Sequence, residues 1–316
     1  MLGEFEQISQ IMAPLAEKAK GAFGLKDDAA VFSHGTNQEI VVTTDTLIAD
    51  VHFFADDPAE TIAHKLLGVN LSDLAAMGAS PLHYTLNASY PKDITVDWIK
   101  AFAKGLQAMQ ERYGIVLIGG DTTRTPGPLS LSVSAFGTVS TGESVRRTTA
   151  RAGDLICVSG TIGDGALGLL VAQDKLSDET SHLLNRYQCP QPRVDLGKEL
   201  SGFATACLDV SDGLITDFRH MDVGGAITWS KIPLSAPAQK LVSKDSSLIS
   251  TILNGGDDYE LLFAIDPKDE TRLAEISERT ETAITVIGRI QDGSDISVID
   301  GAGQKMDVAK VGYRHF

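Results

Sequence analysis

Six aspartate-containing segments follow apolar runs or stand beside glycine in this chain of 316 residues. A buried strand that ends in a carboxylate places an oxygen at a sheet edge, where hard divalent cations can bind. One Gly-Asp or Asp-Gly pair usually marks a turn, but six of them are harder to explain by turns alone. The segments are Gly24–Ala29, Val41–Asp45, Asn70–Asp73, Ile118–Asp121, Asp209–Gly213 and Asn254–Asp258.

Oxygen-rich segments of this kind suit Mg²⁺, which retains several waters and is usually shared between carboxylates and substrate phosphates. Six such segments that converge on one cleft would hold several Mg²⁺ ions and a polyphosphate. Thr43 and Thr44 add two hydroxyls to the carboxylate of Asp45, although β-propensity alone would also account for both threonines. The sequence therefore predicts a magnesium and phosphate site built mainly from aspartates.

Length and charge narrow the class of protein. A chain of 316 residues suggests two domains, because single cores rarely grow beyond about 250–300 residues. The net charge of −15 argues against binding to nucleic acid or to anionic membranes, since both require basic surface. An acidic protein can still bind phosphates where metal ions reverse the local field. No apolar stretch approaches the roughly 20 residues of a membrane-spanning helix, so no membrane partner is expected.

The spacing of the cysteines and histidines predicts no catalytic or zinc site. Cys157, Cys189 and Cys207 are too widely spaced for a zinc pattern. Their odd number and the absence of a signal-peptide pattern predict a reducing, cytoplasmic location. The histidines form no cluster, and His52 by itself would be a structural donor. Cysteine or serine nucleophile chemistry is therefore not expected.

Strand-like and helix-like patterns alternate along the first half, which favours an α/β or α+β arrangement. Asp57 is predicted to cap a helix that has Pro58 at its first position, with Asp73 near the end of that helix. A second amphipathic helix is predicted from Thr95 to Tyr113, with Gly114 as its stop. The predicted strands of this half are Ile40–Thr44, a buried Ile115–Ile118 and Leu129–Val139.

A polar, basic connector around Ser144–Asp154 predicts the domain boundary, with residues 1–147 forming an N-terminal domain and 148–316 a C-terminal one. The glycine-rich turn Gly160–Gly165 could bind an anion through its backbone N–H groups, or could simply turn the chain from strand to helix. The other elements predicted here are strands at Leu155–Ser159, up to Asp209, Leu261–Ile265 and Ala283–Ile290, and helices at Ala166–Ala172, Arg193–Ser201, from Leu214, and Asp269–Arg279.

Phosphate charge in this chain must be met by metal ions and a few basic residues. The sequence contains no Gly-x-x-x-x-Gly-Lys-Ser/Thr motif and none of the protein-kinase motif set. Arg146, Arg147 and Arg151 are candidates for phosphate contacts, and the alternative for each is a solvated linker position.

Together these segments resemble the thiamine-monophosphate kinase family, which belongs to a superfamily that includes aminoimidazole ribonucleotide synthetase. The run Asn70–Ala79 and the pair Gly312–Tyr313 are specific to the family. The matching segments follow the family order and are Gly3–Phe5, Asp27–Ala30, Thr44–Leu47, His52–Phe53, Val69–Ala79, Gly119–Thr123, Asp209–Leu214, Gly255–Leu261 and Gly312–Tyr313.

The resemblance implies a fold and a reaction. The expected fold has an α/β N-terminal domain, whose strands pair with those of a second subunit in a homodimer, and an α+β C-terminal domain. The expected reaction transfers phosphate directly from ATP, as co-substrate, to thiamine monophosphate, with several Mg²⁺ ions bound. The two departures from the family pattern are Asp257, where the family has glutamate, and Gly24-Leu25-Lys26, where the family has Gly-x-Gly.

The resemblance also implies roles for individual residues. Mg²⁺ ligands are expected at Asp28, Thr43, Thr44, Asp45, Asp73, Asp121, Asp209 and Asp212. ATP contacts are expected at Gly120, Asp121, Arg147 and Ser211, and contacts to the thiamine moiety at His52, Asp257 and Tyr313. The residues expected to be catalytic are Asp45, Asp73, Asp121 and Asp212.

Two other functions stay open from the sequence. The first is another ATP-using enzyme of the same superfamily, such as a purine-synthesis synthetase or a hydrogenase-maturation protein; the family-specific run and Tyr313 argue against it. The second is a non-catalytic acidic protein that binds cations. No Asp-x-Asp-x-Asp-Gly loop of the EF-hand type occurs in the chain, which argues against that alternative.

Overall fold

The computed structural model describes Phe23, Gly24, residues 26–33 and residues 37–307; Tyr313, Gly312 and the segment Gly3–Phe5 lie outside this part of the chain. The elements of the first half are β1 (Ala30–Ser33), β2 (Gln38–Ile48), α1 (Ala59–Ala76), β3 (Ser80–Tyr90), α2 (Val96–Tyr113), β4 (Val116–Arg124) and β5 (Ser130–Ser140). The strands form one sheet in the order β1-β2-β5-β3-β4, antiparallel except for the parallel pair of β3 and β4.

The second half forms a separate six-stranded sheet in a mixed α/β arrangement. Its elements are β6 (Leu155–Ser159), α3 (Asp164–Ala172), α4 (His182–Gln188), α5 (Val194–Leu200), β7 (Ala206–Asp209), α6 (Leu214–His220), β8 (Gly224–Thr228), α7 (Ala236–Lys244), α8 (Leu248–Asn254), β9 (Leu261–Ile265), α9 (Leu273–Arg279), β10 (Ile284–Gln291) and β11 (Ile296–Ile299). The strand order is β11-β8-β10-β6-β9-β7. Among the described residues, no helix is long and apolar enough to cross a membrane. The mixed class predicted from the sequence is confirmed, and the boundary between residues 147 and 148 stays a prediction.

Helix α1 is the central element, because it packs between the two sheets. One side of α1 contacts β2, β5 and α2, and the other contacts α5, β7 and β9. Leu66, Leu71 and Leu74 are fully buried in a core that includes Leu261 and Phe263 of the second half. A helix that is buried on nearly all sides places its polar side chains in the interior as well.

The start of α1 differs from the sequence prediction. Pro58, not Asp57, occupies the N-cap position, and no side chain caps the helix. The carboxylate of Asp57 instead accepts hydrogen bonds from the Phe54 backbone N–H (2.9 Å) and from Gln188 Nε2 (2.6 Å). A residue before proline is kept out of the helical region, so Asp57 is held too far back to reach the first turn.

Two predicted elements of the first half, a helix and a strand, are confirmed together with the local sequence signals that predicted them. Helix α2 begins after Thr95, whose side chain accepts a hydrogen bond from the Trp98 N–H, and it ends at Gly114 in the left-handed conformation with φ 71°. Strand β5 alternates buried residues such as Val133 with serines on the opposite face. The local capping signals and the period-two pattern were therefore sufficient here.

Strand β2 is longer than predicted, and this changes the place of Asp45. The strand pairs with β5 along its whole length, from Gln38 opposite Ser140 to Ile48 opposite Ser130. Asp45 thus lies in the interior of a strand instead of at its end. The apolar pair Leu47–Ile48 continues the pairing past the carboxylate, because a carboxylate does not itself end a ladder.

Strand β4 is exposed, whereas the sequence predicted a buried strand at Ile115–Ile118. Val116, Leu117 and Ile118 have exposed fractions of 50%, 43% and 57%. The strand lies at the edge of the first sheet, and only Ile115, which precedes it, is buried. Gly119 to Asp121 belong to the same strand. The prediction of burial is wrong for a single copy of the chain.

A buried ion network ties α4 and α5 to the second sheet. Glu260, fully buried, accepts hydrogen bonds from Arg186 Nη2 (2.9 Å), from Arg193 Nη2 (2.5 Å) and Nε (2.6 Å), and from the Ser159 hydroxyl (2.5 Å). Removing one partner of a buried charge network leaves the others unpaired in a medium of low dielectric constant.

Replacing Glu260 with alanine tests the network. Glu260→Ala should lower the free energy of unfolding by about 3–5 kcal/mol, because the buried guanidinium of Arg186 and the largely buried guanidinium of Arg193 lose their counter-charge. Glu199→Ala is the matched control: its ion pair with Arg279 is partly exposed and should contribute less than about 1 kcal/mol. Urea unfolding measures both, and equal small effects for the two variants would contradict the assignment.

Candidate active site

A cleft of about 1030 Å³ lies between the two halves of the chain. Elements that line it are β2, α1, α3, the loop after β7 and the loop after α8. Five predicted site residues, although within the described residues, are not part of its lining: Asp28, Thr43, Gly120, Asp121 and Arg147. The sequence-predicted site residues that do line it are Thr44, Asp45, His52, Asp73, Asp209, Ser211, Asp212 and Asp257.

Four carboxylates converge at the inner end of the cleft. Asp45 projects from the interior of β2, Asp73 from the last turn of α1, Asp209 from the end of β7, and Asp28 from the segment before β1. The Thr43 hydroxyl donates a hydrogen bond of 2.5 Å to Asp73 Oδ2, which fixes the helix against the strand. The packing of α1 between the sheets is therefore what brings these four residues together.

The electrostatics of this cluster are unfavourable without a cation. Burial raises the pKa of Asp209 to about 8 and that of Asp28 to about 6, and repulsion from the neighbouring carboxylates adds to both shifts. Burial, followed by repulsion from Asp45, Asp209 and Asp28, raises the pKa of Asp73 well above its usual range. Burial also raises the pKa of Asp45. Such a cluster holds protons unless a divalent cation replaces them.

The two threonines before Asp45 point to opposite faces of β2. Thr43 is buried with Asp73, whereas the Thr44 hydroxyl donates to the Val133 carbonyl (2.9 Å) and accepts from Ser134 (3.1 Å). Side chains alternate along a strand, so both threonines cannot face the same carboxylate cluster. Thr43 lies with the cluster, and Thr44 lines the cleft from the other face.

Arg147 is engaged with a predicted metal ligand. Its Nη1 lies 3.0 Å from Asp28 Oδ1, and its Nε donates to the Lys26 carbonyl. Arg146 pairs in the same way with Asp27, at 3.0 Å. The basic connector thus holds the first aspartate pair against the second half of the chain, in addition to any contact with a ligand.

The loop that carries Asp257 is joined directly to the loop that follows Asp209. The Asp257 N–H donates to the Ser211 carbonyl and the Tyr259 N–H to the Val210 carbonyl, both at 2.9 Å. A Cβ at Gly256 would lie 1.9 Å from the Ser211 oxygen, so only glycine permits this approach. Asp257 itself has a φ of 68°, in the left-handed region. The two loops form one unit with carboxylates on both sides.

Asp121 lies away from the carboxylate cluster in a single chain. Across the sheet, Thr46, Ser132, Asn87 and Asp121 form one row, on the opposite face from Asp45. Three strand spacings separate Asp121 from β2, which amounts to about 14 Å along the sheet at about 4.8 Å per strand. Gly120 shares this edge position, so the structure of one copy does not bring either residue to the cluster.

The glycine-rich turn after β6 already binds a carboxyl group of the protein itself. The Gly163 and Gly165 N–H groups donate to the carboxylate of Asp258, at 2.7 and 2.9 Å. Burial raises the pKa of Asp258 to about 8, and these two hydrogen bonds oppose the shift. Of the two alternatives for this turn, these hydrogen bonds support a strand-to-helix turn, because the Gly163 and Gly165 N–H groups are already bonded within the protein.

Sequence reasoning missed two groups near the cleft. Lys65, Val69 and Asp73 recur every four residues and share one face of α1, a spacing that could have identified Lys65 as part of the site. Asp217 accepts hydrogen bonds from the Asp212 and Gly213 N–H groups. The ligand atoms of Asp212, Asp217 and His220 lie within 4.8 Å of one another.

Comparisons with known proteins agree with this geometry. The family model for the AIR synthase related protein N-terminal domain matches residues 26–139, and the model for the C-terminal domain matches residues 151–301. The thiamine-monophosphate kinase of Caulobacter vibrioides is 35% identical, and the match covers 99% of this chain and 90% of the relative.

Two solved structures are also similar. The thiamine-monophosphate kinase of Stenotrophomonas maltophilia K279a has a TM-score of 0.79 at 41% identity, covering 96% of this chain and 98% of that one. The structure described as AaThiL complexed with AMPPCP and TMP has a TM-score of 0.83 at 29% identity, covering 100% and 97%. These matches confirm the two-domain architecture expected from the sequence.

The raised pKa values predict how stability depends on pH. A carboxyl group whose folded pKa lies above its unfolded value stabilises the fold while protonated, and this contribution is lost as pH rises. Without divalent cations, melting temperature should therefore fall between pH 6 and pH 8 by about 2–4 °C for each kcal/mol lost. Added Mg²⁺ should reverse the fall at pH 8. Asp209→Asn should flatten the profile, and an unchanged slope in that variant would contradict the cluster as its cause.

Proposed function

Because this chain belongs to the thiamine-monophosphate kinase family of AIR synthase related proteins, we propose that it transfers the γ-phosphoryl group of ATP to thiamine monophosphate. The products are ADP and thiamine diphosphate. The observation that carries the proposal is the cluster of buried carboxylates at one end of a cleft large enough for two substrates. A relative with the same fold binds AMPPCP and TMP, which supports the choice of both substrates.

The residues of the cluster fit Mg²⁺. They offer carboxylate oxygens, the ligands that this ion prefers, and Oδ2 of Asp28 is buried without a hydrogen-bond donor among the described residues. We propose that Asp28, Asp45, Asp73 and Asp209, with Thr43 and Asp212 beside them, hold several ions. When bound, Mg²⁺ supplies positive charge that offsets the charge of the phosphates.

The chain's own contribution to the mechanism is to position the two substrates in the cleft. The acceptor phosphate oxygen is already deprotonated at neutral pH, so the chain needs no general base. Phosphoryl transfer depends mainly on alignment and charge neutralisation. Asp209, Ser211 and Asp212 lie on the same side of the cleft as the loop with Asp257, and backbone hydrogen bonds fix these loops to each other. This arrangement favours direct transfer between two substrates held side by side.

His52 and Asp257 are proposed to contact the acceptor. His52 Nδ1 accepts a hydrogen bond from the Ile48 N–H (3.1 Å), which leaves the proton of the neutral ring on Nε2. Both residues line the cleft, which supports a contact between each of them and a ligand bound there. The role of Tyr313, which lies outside the described residues, stays a prediction, as does the cytoplasmic location.

We further propose that the protein is a homodimer through β4. The three apolar residues exposed at the start of this strand, Val116 to Ile118, stand at a sheet edge that no other described strand pairs with, and proteins normally pair or cover such edges. Gly120 and Asp121 continue the same strand. The ATP contacts expected at these residues would therefore lie at the interface between two copies, and Arg147 would approach ATP from the inner side.

Light scattering tests the dimer. Wild-type protein should have about twice the 33.6 kDa mass of one chain. Leu117→Asp places a charge in the middle of the three exposed apolar residues and should give monomers with little activity. Val96→Asp is the matched control, since Val96 is exposed at 67% on α2, away from this edge. A monomeric wild type, or a dimeric and active Leu117→Asp, would contradict the proposal.

Product analysis tests the reaction itself. With ATP and Mg²⁺, thiamine monophosphate should be converted to thiamine diphosphate with one ADP released, and free thiamine should not react. Asp73→Asn should lower kcat by at least about a hundredfold, because it removes one charge from the cluster. Asp97→Asn, at an exposed position on α2, is the control.

The product assay also separates the alternatives. Turnover of a different acceptor would indicate another enzyme of the superfamily. Cation binding without any nucleotide dependence would indicate a non-catalytic protein. Full activity of Asp73→Asn at limiting Mg²⁺ would contradict the role of the cluster.

A further inference from the structure

An ammonium group is buried at the base of the cleft, beneath residues that line it. Lys65 of α1 has 2% of its side chain exposed. Its Nζ lies 3.3 Å from Asp257 Oδ2 and 3.7 Å from the centroid of the Tyr187 ring. Asp257 and Tyr187 both line the cleft, so Lys65 lies directly behind the surface that a ligand would contact.

Stability alone does not account for this lysine. Burial lowers the pKa of Lys65, which the charge of Asp257 partly opposes, so the ammonium form carries a desolvation cost. Apart from the ion pair with Asp257, no described residue accepts a hydrogen bond from Nζ. A methionine would fill a similar volume without this cost. What the lysine adds is a positive charge at a fixed distance from one carboxylate.

Asp257 is already constrained on its backbone side. Its N–H is bonded to the Ser211 carbonyl, its φ is 68°, and Gly256 is in close contact with the same carbonyl. The remaining freedom is rotation of a short side chain that is 27% exposed to the cleft. The ion pair with Lys65 removes that rotation and holds the carboxylate in one orientation.

The ion pair also changes what Asp257 can recognise. An isolated carboxylate at this point would attract any cation, including a free Mg²⁺ ion. Paired with an ammonium at 3.3 Å, it carries little net charge and acts mainly as an oriented hydrogen-bond acceptor. Tyr187, whose ring covers Nζ, shields the pair from solvent on one side. The pair is therefore suited to a neutral donor, such as an amino group on an aromatic ring.

We propose that Lys65 is a positioning residue for the acceptor substrate: it orients Asp257 so that the carboxylate accepts a hydrogen bond from the amino group of the pyrimidine. This inference rests on the proposed function, because it takes thiamine monophosphate as the acceptor. In this inference Lys65 binds neither phosphate nor metal, and it affects the acceptor only through Asp257.

Steady-state kinetics of Lys65→Met test the inference. The variant should raise KM for thiamine monophosphate about tenfold, the size expected for losing one oriented charge-assisted hydrogen bond, and leave KM for ATP within about twofold. Its melting temperature should stay within about 4 °C of that of the wild type, because removing the buried ammonium relieves a desolvation cost, and Asp257, left without its partner, is 27% exposed and remains solvated. Lys104→Met, at an exposed lysine of α2, is the matched control and should change none of these values.

A double-mutant cycle tests whether Lys65 affects KM for the acceptor through Asp257. Asp257→Ala alone should also raise KM for the acceptor and not for ATP. If Lys65 acts through Asp257, adding Lys65→Met to Asp257→Ala should cause less than about a twofold further change. The inference would be overturned if the two substitutions raised KM for the acceptor independently, so that their fold-changes multiplied in the double variant. It would also be overturned if Lys65→Met lowered the melting temperature and left KM unchanged, which is the signature of a purely structural lysine.

An acceptor analogue with an oxo group in place of the pyrimidine amino group provides a second readout. The wild type should prefer the amino compound, and both Lys65→Met and Asp257→Ala should lose most of that preference. Equal discrimination in all three proteins would overturn the assignment of the amino group. A wild type that converts neither compound would instead refute the proposed function, so the two failures are distinguishable.

Discussion

The desolvation of four neighbouring carboxyl groups, with their mutual repulsion, is the constraint on which this structure depends. Asp28, Asp45, Asp73 and Asp209 come from four separate segments, and each is held near the others despite a raised pKa. The hydrophobic packing of α1 between two sheets supplies the free energy that keeps them together. The fold thus stores an unfavourable charge arrangement that divalent cations can relieve.

The carboxylate cluster and the proposed acceptor contacts are joined by a rigid connection. The loops around Ser211 and Asp257 are bonded backbone to backbone, and Gly256 allows them to touch. Lys65 and Asp73 lie two turns apart on one face of α1, so the same helix fixes both ends. Transfer between two phosphates requires this kind of fixed separation, because a small misplacement costs rate steeply.

Much of the fold could be predicted from local signals, since caps and alternation are read within a few residues. The limits of α2 follow from Thr95 and Gly114, and β5 follows from its serine alternation. Errors arose where distant residues decide. The exposure of Ile118 arises because no strand within the described residues pairs with the outer side of β4. The turn at Gly163, for which two alternatives stayed open, is decided by Asp258, which is 95 residues away. Asp121 also depends on distant residues, because it lies on the edge strand β4, which we propose to be the interface with a second copy of the chain.

The proton balance of Mg²⁺ binding tests the central claim most directly. Calorimetric titration of the wild type in buffers of different ionisation enthalpy counts the protons released when the ion binds. With the pKa of Asp209 raised to about 8, binding at pH 7 should release about one proton, and Asp209→Asn should release fewer. Tight Mg²⁺ binding with no proton release from the wild type would show that the carboxylates are ordinary and ionised, and would contradict the account.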